Sequence, residues 1–291
     1  MNINRETQFF GILGFPLSHT LSPVIHNGLF AKYNVNAVYL VLEKEKPTRS
    51  LLLGKETISL SGLSVTIPHK EWAFKIADYT DEASSNMKAS NTLVRSDKKI
   101  NAYNTDGYGA VRSIEEYKRN FFESKTSGDI LILGSGGSAK GISYSLVKRG
   151  LSASKIVIAA RNETTGKKLV KTLNSLQTGI SEYSTLDALE KNNKRFSLII
   201  NTTPVGMKGK LDSQILSEKF FSKSQTLFDI VYNPLETPLV KMAKKNGAKI
   251  IPGYEMLLYQ AMEQFRLFTG VQVDNKNISL VRKWLLEKLL R

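Results

Sequence analysis

A short apolar run that ends in a glycine-rich turn is the feature that most constrains the fold of this chain. Residues 130–141 read ILILGSGGSAKG, a strand-like segment followed by glycines and a helical pattern. Gly134, Gly136 and Ala139 fit the G-x-G-x-x-G/A spacing, which gives a tight turn, close backbone approach to a pyrophosphate, and close packing of helix on strand. The helix N-terminus adds free N–H groups and a positive dipole end. The segment predicts a dinucleotide-binding α/β domain; a purely structural glycine turn is the alternative.

Strand and helix patterns alternate on both sides of this turn. Repeated units of this size imply parallel βαβ connections, so we predict an α/β fold in which a second unit begins near residue 107. Ser22-Pro23 is typical of a helix start, with the serine as cap, and Ser96-Asp97 is predicted to turn a hairpin. The pattern is helical from Glu255 onward. Strands are predicted near residues 9–14, 37–43, 62–68, 130–134, 155–161, 196–204, 226–232 and 248–253.

The end of the strand at 155–161 indicates which dinucleotide is bound. A site for NAD has an acidic residue there, which accepts hydrogen bonds from the ribose hydroxyls. This chain has Ala160, Arg161 and Asn162 instead, and Glu163 is predicted to start the next helix. An arginine can hold a 2′-phosphate as a planar, charged fork. The sequence therefore favours NADP(H).

The charge of the chain favours anionic ligands. Lys and Arg outnumber Asp and Glu by 41 to 26, for a net charge of +15, and such a field attracts phosphates and carboxylates. The basic residues are scattered and no nucleic-acid-binding motif is present, so a basic solvated surface is predicted and no nucleic-acid partner. No apolar run has the roughly 18 residues of a membrane span. With no cysteine and no leader pattern at the N-terminus, a cytoplasmic protein is expected.

Lys70 follows a β-branched run, SVTIP at 64–68, that reads as a short strand ended by its proline. From these residues alone, a solvated lysine is the simpler interpretation. The three histidines, His19, His26 and His69, lie in different local settings. Hydrogen-bonded or solvated rings are therefore predicted for them, and no metal site.

Eight segments then carry a resemblance that covers almost the whole chain. In order they are GFPLSHTLSPVIHN (14–27), GLSVTIPHK (62–70), ASNTL (89–93), NTDG (104–107), GSGGSAKG (134–141), INTTPVGM (200–207), DIVYNPLETPL (229–239) and PGYEMLLYQA (252–261). Their order and wording resemble the shikimate dehydrogenase family. The resemblance implies a substrate-binding domain over 1–106, on which the C-terminal helices of 255–291 pack, and a Rossmann NADP-binding domain over 107–254. It also implies reversible, NADPH-dependent reduction of 3-dehydroshikimate to shikimate, in the pathway to chorismate and aromatic amino acids.

The resemblance implies roles for individual residues. Lys70 and Asp106 match the acid/base pair, in which an ammonium polarises the carbonyl and donates the proton while a carboxylate orients it. Thr20 and Ser22 match the pair of hydroxyls that holds the substrate carboxylate, with threonine in place of the usual serine. Ser22 is also a candidate for a plain helix cap. The remaining substrate contacts implied are Ser64 (where many members have asparagine), Thr66, Asn91, Tyr232 and Gln260.

On the cofactor side, the resemblance implies three groups of contacts. They are the pyrophosphate cradle of Gly134, Ser135, Gly136, Gly137 and Ser138, the adenosine end at Ala160, Arg161, Asn162 and Thr165, and the nicotinamide end at Ile230, Gly253 and Met256. Two alternatives stay open: a broader quinate/shikimate dehydrogenase that uses NAD, and a non-catalytic module of the same fold. The sequence leaves the oligomeric state open, with a homodimer as one candidate.

Overall fold

The chain folds into two compact units. The structure, a computed structural model, describes residues 3–17, 20–54, 59–123, 128–151, 155–191, 196–208 and 215–290. Unit 1 comprises Met1–Gly109 and Leu257–Arg291, and unit 2 comprises Ala110–Met256. These borders fall inside two helices, whereas the sequence predicts domain borders at 106/107 and 254/255. The assignment of a substrate domain and a cofactor domain to these stretches stays a prediction.

The strands of the first part of the chain form a mixed six-stranded sheet in unit 1. Its strand order is β2-β1-β3-β5-β6-β4, with β1 parallel to β2 and β3, and β5 antiparallel to β3 and β6. The elements are β1 (Gln8–Gly14), α1 (Ser22–Lys32), β2 (Ala37–Glu43), α2 (Ser50–Leu53), β3 (Gly62–Val65), α3 (Lys70–Lys75), β4 (Tyr79–Thr80), α4 (Glu82–Met87), β5 (Thr92–Ser96), β6 (Lys99–Tyr103) and α5 (Asp106–Tyr117).

Unit 2 contains a six-stranded sheet in which every pair of neighbours is parallel. The order is β12-β11-β10-β7-β8-β9. Read from the β9 edge, with β7 as the first strand, this is the 3-2-1-4-5-6 order of a doubly wound dinucleotide-binding fold. The elements of this unit are β7 (Ile130–Leu133), α6 (Gly137–Arg149), β8 (Ile156–Ala159), α7 (Glu163–Leu176), β9 (Ser181–Ser184), α8 (Leu186–Lys191), β10 (Leu198–Asn201), a 3₁₀ turn (Glu218–Phe220), β11 (Thr226–Asp229), α9 (Pro238–Lys245) and β12 (Lys249–Pro252). Helix α10 (Gly253–Thr269) begins in unit 2 and continues into unit 1, and α11 (Asn275–Leu289) lies in unit 1.

The predicted α/β architecture is confirmed. Strands β7, β8 and β10 read ILIL, IVIA and LIIN and are buried at every position, as parallel strands covered on both faces require. The last two helices end in unit 1, where Trp284 of α11 packs so closely on Gly28 of α1 that a Cβ there would lie 2.4 Å from its ring. This contact fixes α11 against the first helix of the chain.

Three local predictions differ from the structure: the end of one strand, the position of one hairpin turn and the start of one helix. Strand β3 ends at Val65, three residues earlier than expected, although the Thr66 N–H still donates to the Leu13 carbonyl at 2.8 Å. The hairpin turns at Asp97, whose φ of 55° is left-handed, and Lys98 rather than at Ser96-Asp97. Helix α1 has Leu21 as its N-cap with no side-chain cap. The prediction of a serine cap at Ser22 is therefore wrong, because this residue already lies in the first turn.

A fully buried histidine lies in the aromatic core of unit 1. The His26 ring stacks on Tyr39 with centroids 4.3 Å apart and also faces Phe30 and Phe268. Neither ring nitrogen reaches a hydrogen-bond partner among the described residues, although the Gln264 side chain lies beside the ring. Burial lowers the pKa of His26 to about 3, and Gln264 offsets only part of that shift. The folded protein thus holds this histidine neutral.

The substitution His26→Phe is expected to flatten the acid side of the stability profile. Because the pKa of His26 is about 3 in the folded state and 6.5 when unperturbed, the unfolded chain binds a proton that the folded chain refuses. Wild-type stability therefore falls as pH drops below the unperturbed value, by up to about 1.4 kcal/mol per pH unit from this group. Urea unfolding measured from neutral pH down to about pH 4.5 should show a shallower decline for the variant. Equal slopes would contradict the assignment.

Candidate active site

A buried ion pair joins the first residues of two helices in unit 1. Lys70 begins α3 and Asp106 begins α5, and the Lys70 Nζ bonds the Asp106 Oδ2. The two residues are 8% and 1% exposed. Removing two opposite charges from water is costly unless the geometry is good and further hydrogen bonds satisfy the groups. The sequence motifs around Lys70 and Asp106 lie 36 positions apart, so the sheet of unit 1 is what brings the charges together.

Asn91 holds the carboxylate of this pair in place. Its side-chain Nδ2 donates to Asp106 Oδ1 at 2.7 Å, and its Oδ1 accepts from the Thr105 backbone N–H at 2.8 Å. Asn104 adds a contact, because its side-chain oxygen accepts from the Asp106 backbone N–H at 3.2 Å. Gln260 stands at the edge of the group, 3.5 Å from the Asn91 Nδ2. The structure therefore brings four predicted site residues together: Lys70, Asn91, Asp106 and Gln260.

Two hydroxyl-bearing residues predicted for the site, Ser22 and Ser64, lie beside one tyrosine, and Thr20 lies beside Ser22. Thr20 Oγ1 and Ser22 Oγ are 3.4 Å apart, and the Ser22 N–H donates to Thr20 Oγ1 at 3.3 Å. The buried Tyr39 hydroxyl lies next to both Ser22 and Ser64. Burial raises the pKa of Tyr39, so it stays a neutral phenol. These groups form a polar patch beside the stacked rings of Tyr39 and His26.

Thr66, the remaining substrate residue predicted in this unit, is half-buried just past β3. Its methyl group packs against the backbone of Gly14, where a Cβ would lie only 2.5 Å from Thr66 Cγ2. Thr66 also accepts, through its carbonyl, from the His69 N–H at 2.9 Å. The turn that leads into Lys70 is thus tied to the end of β1.

Gln264, which the sequence reasoning missed, links several of these residues. It is 4% exposed and lies one helical turn after Gln260 on α10. Its Oε1 accepts from Ser64 Oγ at 2.9 Å, and its Nε2 lies 3.1 Å from Thr92 Oγ1 and 3.4 Å from the Asn91 carbonyl. The available signal was the spacing of four residues, which puts two glutamines on one helix face.

The glycine turn of unit 2 has the geometry expected of a phosphate cradle. Gly134 has a φ of +109°, and a Cβ there would lie 2.6 Å from Thr202 Oγ1. Gly136 is the N-cap of α6 with no side-chain cap, and a Cβ on it would meet no atom within 4 Å. Gly137 and Ser138 form the first turn of the helix. The backbone beside Gly136 therefore leaves room for a pyrophosphate at a helix N-terminus.

The loop after β8 lies against this turn. Ser135 Oγ and Thr165 Oγ1 are 2.7 Å apart, and Asn162 caps α7 by accepting from the Thr165 N–H at 3.0 Å. Ala160 is buried, whereas Arg161 is exposed and projects a cation beyond the strand end. The residues present fit a dinucleotide with a phosphate on its adenosine ribose, because the end of the strand offers a cation and no acid.

Ile230 and Gly253 are neighbours in unit 2. A Cβ on Gly253 would lie 2.6 Å from the carbonyl oxygens of Asp229 and Val231, so the start of α10 packs directly on the loop after β11. Met256 follows in the first turn of α10 and is buried, and Tyr232 in that loop is half-buried. The other predicted residues of unit 2, at the glycine turn and after β8, belong to different loops.

Asp229 anchors the loop that carries Ile230 and Tyr232. Its carboxylate accepts from Thr237 Oγ1 at 2.6 Å, from Asn201 Nδ2 at 2.9 Å and from the Val231 N–H at 3.1 Å. Burial raises the pKa of Asp229 to about 6, against the opposing effect of these three donors. This buried carboxyl group therefore ties the loop to the end of β10 and to the N-cap of α9.

Neither a metal-binding cluster nor a membrane-spanning helix is found among the described residues. Over the described ranges, no three His, Cys, Asp or Glu side chains come together as a metal-binding group. The His69 Nε2 lies 2.7 Å from the Lys44 carbonyl, and His19 lies outside the described residues. Among the helices of the described segments, none is long and apolar enough to cross a membrane.

Comparison with known proteins gives consistent matches. The family described as shikimate dehydrogenase substrate binding domain matches residues 12–93, and the shikimate 5'-dehydrogenase C-terminal domain matches residues 253–279. The shikimate dehydrogenase (NADP(+)) of Leptospira interrogans is 48% identical over 98% of this chain and 97% of its own length. That of Pyrococcus furiosus is 36% identical over 98% and 99%.

Solved structures agree with these matches. A crystal structure of a shikimate dehydrogenase in complex with NADP+ has a TM-score of 0.85 at 32% identity, covering 99% of this chain and 98% of that one. The shikimate 5-dehydrogenase of Listeria monocytogenes, in complex with shikimate and NAD, has a TM-score of 0.83 at 26% identity, covering 97% and 98%. With such similarity along its whole length, the chain belongs to the shikimate dehydrogenase family.

Proposed function

We propose that this chain is an NADP(H)-dependent shikimate dehydrogenase that reversibly reduces 3-dehydroshikimate to shikimate, on the route to chorismate and aromatic amino acids. The observation that carries this proposal is the buried Lys70–Asp106 pair, which is surrounded by amide and hydroxyl side chains. A buried ammonium held beside a carboxylate suits the reduction of a ketone, because the carbonyl oxygen must receive a proton as it gains negative charge.

Lys70 and Asp106 divide the acid/base work. When bound, NADPH would supply the hydride for the carbonyl carbon. Lys70 Nζ polarises the carbonyl, and its proton moves to the oxygen as the C–O double bond becomes a single bond. Asp106, whose carboxylate is held by Asn91, keeps the ammonium in position throughout. In the opposite direction the neutral amine of Lys70 accepts the hydroxyl proton of shikimate.

The other side chains of unit 1 select the ligand. Thr20 and Ser22 offer two hydroxyls, close to one another, for the substrate carboxylate. Ser64, Thr66, Asn91 and Gln260 offer donors and acceptors for ring hydroxyls, and Tyr232 stays a predicted substrate contact. A buried polar group left without a partner by the wrong ligand is costly, and this is how such a set discriminates between polyols. The net charge of +15 favours approach of the anionic substrate. A cytoplasmic location and a homodimer stay predictions.

The first test is a spectrophotometric assay of shikimate oxidation with NADP+. The variant Lys70→Ala is expected to lose about 10²- to 10⁴-fold in kcat, the usual contribution of general acid/base catalysis. Because this change leaves the Asp106 carboxylate buried without its cation, thermal unfolding is measured alongside. The double variant Lys70→Ala/Asp106→Asn removes the unpaired charge and should recover stability while staying inactive. Full turnover by a folded Lys70→Ala protein would contradict the mechanism.

A second candidate function is a broader quinate/shikimate dehydrogenase that uses NAD. The observation that favours it is that the Listeria relative carries shikimate together with NAD. The exposed Arg161, in place of an acid after β8, argues for NADP(H).

Arg161→Ala separates these alternatives. The variant is expected to raise KM for NADP+ by about 10- to 150-fold, since one charge-assisted contact contributes about 1.5–3 kcal/mol, and to leave KM for NAD+ unchanged. Steady-state kinetics with shikimate and quinate, each with both cofactors, provides the measurement. Better turnover of quinate with NAD+ than of shikimate with NADP+ would favour the second candidate.

Two glycines of the turn make a matched pair for testing the cofactor site. Gly136→Ala is expected to leave the melting temperature unchanged, since a Cβ there meets no protein atom within 4 Å, yet to raise KM for NADP+ about tenfold or more by filling the space for the pyrophosphate. Gly134→Ala should instead lower the free energy of unfolding, by about 1–2 kcal/mol from its left-handed backbone alone. Unchanged cofactor affinity in a folded Gly136→Ala protein would count against phosphate binding at this turn.

A further inference from the structure

The amide of Gln264 has only one orientation that satisfies its neighbours. The Asn91 backbone carbonyl, 3.4 Å away, can only accept a hydrogen bond, so the atom that faces it must be the Nε2 donor. The Oε1 atom then faces Ser64 Oγ at 2.9 Å, and Ser64 must donate its hydroxyl proton to it. The side chain is buried and fixed at both ends.

This orientation decides what Ser64 can offer a ligand. A serine hydroxyl carries one proton and two lone pairs, and here the proton is committed to Gln264. What remains is two acceptor lone pairs: the neutral Tyr39 hydroxyl beside Ser64 can use one, and the other matches a ligand O–H group. A Ser64 free to rotate would present a donor or an acceptor with similar ease and would discriminate less.

The other end of Gln264 leads toward the ion pair. Its Nε2 donates to Thr92 Oγ1 at 3.1 Å, and Thr92 in turn donates to Asn91 Oδ1 at 3.0 Å. Asn91 then donates to Asp106. The Thr105 backbone N–H donates to the same Asn91 oxygen at 2.8 Å, so a second hydrogen bond supports the Asn91 side chain. The orientation of the Ser64 hydroxyl depends more directly on Gln264, which accepts its proton.

We propose that Gln264 is a positioning residue for substrate recognition, which locks Ser64 as a hydrogen-bond acceptor for a ring hydroxyl of the substrate. The inference rests on the proposed function, in which Ser64 is a substrate contact. It assigns Gln264 an effect on substrate affinity and leaves proton transfer to Lys70 and Asp106.

A double-mutant cycle between positions 64 and 264 tests this role. Gln264→Met removes the acceptor while keeping an unbranched side chain of similar length. It is expected to raise KM for shikimate by about 3- to 10-fold, the effect of one hydrogen bond, with kcat within about twofold and KM for NADP+ unchanged. Ser64→Ala should have a similar effect. The double variant should be no worse than Ser64→Ala alone, because Gln264 then has nothing to orient.

Gln264→Glu separates positioning from packing. Its side chain keeps an acceptor for Ser64 in either protonation state, so KM for shikimate should stay near the wild-type value at about pH 6, where burial favours the protonated carboxyl. The melting temperature should fall, since a carboxyl is less suited than an amide to face the Asn91 carbonyl. The neighbouring titratable groups, His26 and Tyr39, stay neutral at that pH, because burial lowers the pKa of His26 to about 3 and raises that of Tyr39.

The outcomes distinguish this inference from the proposed function. If the wild-type protein turns over neither shikimate nor quinate, the proposed function fails and the role of Gln264 fails with it. If the wild type is active, the inference alone is overturned by either of two results: an unchanged KM for shikimate in Gln264→Met, or independent, multiplying effects of Gln264→Met and Ser64→Ala. A rise in KM with Gln264→Met that Gln264→Glu does not reproduce supports it.

Discussion

The buried pair of opposite charges is the constraint on which the rest of unit 1 depends. Lys70 and Asp106 are almost inaccessible to water, and such a pair is stable only where its geometry and supporting hydrogen bonds are nearly complete. Asn91 and Asn104 supply that support, and each is itself held by backbone groups: Asn91 by the Thr105 N–H and Asn104 by the Ala89 carbonyl. The segments after α4 and β6 are therefore shaped around two charges.

The candidate sites of the two units are made of different groups. In unit 2 the cradle is mostly backbone: a left-handed glycine, an open glycine and the start of a helix, with Ser135 and Thr165 tying two loops together. In unit 1 the site is made of side chains whose amides and hydroxyls have fixed directions. A backbone cradle accepts any phosphate of the right shape, whereas an array of directed donors and acceptors distinguishes one hydroxylated ring from another.

The predictability of each part from sequence follows from this difference. The parallel sheet of unit 2 was predictable because ILIL, IVIA and LIIN are continuous apolar strands and the glycine spacing is local. Strand β9, SEYS, was missed because it carries no apolar signal and its pairing with β8 is a tertiary effect. From local sequence alone, Lys70 looked like a solvated lysine; only the resemblance paired it with Asp106. Gln264 was missed because its partners are about 170 to 200 residues away along the chain.

The close contact between Gly14 and Thr66 has a consequence for how relatives of this chain can diverge. The absence of a side chain at position 14 is a matter of space, since a Cβ would collide with the Thr66 methyl and with Leu17. Alanine at position 14 would fit only if the neighbouring side chains were smaller or moved away. A smaller residue in place of Thr66 would in turn relax the requirement for glycine at position 14. We therefore expect substitutions at positions 14 and 66 to occur together among relatives of this chain.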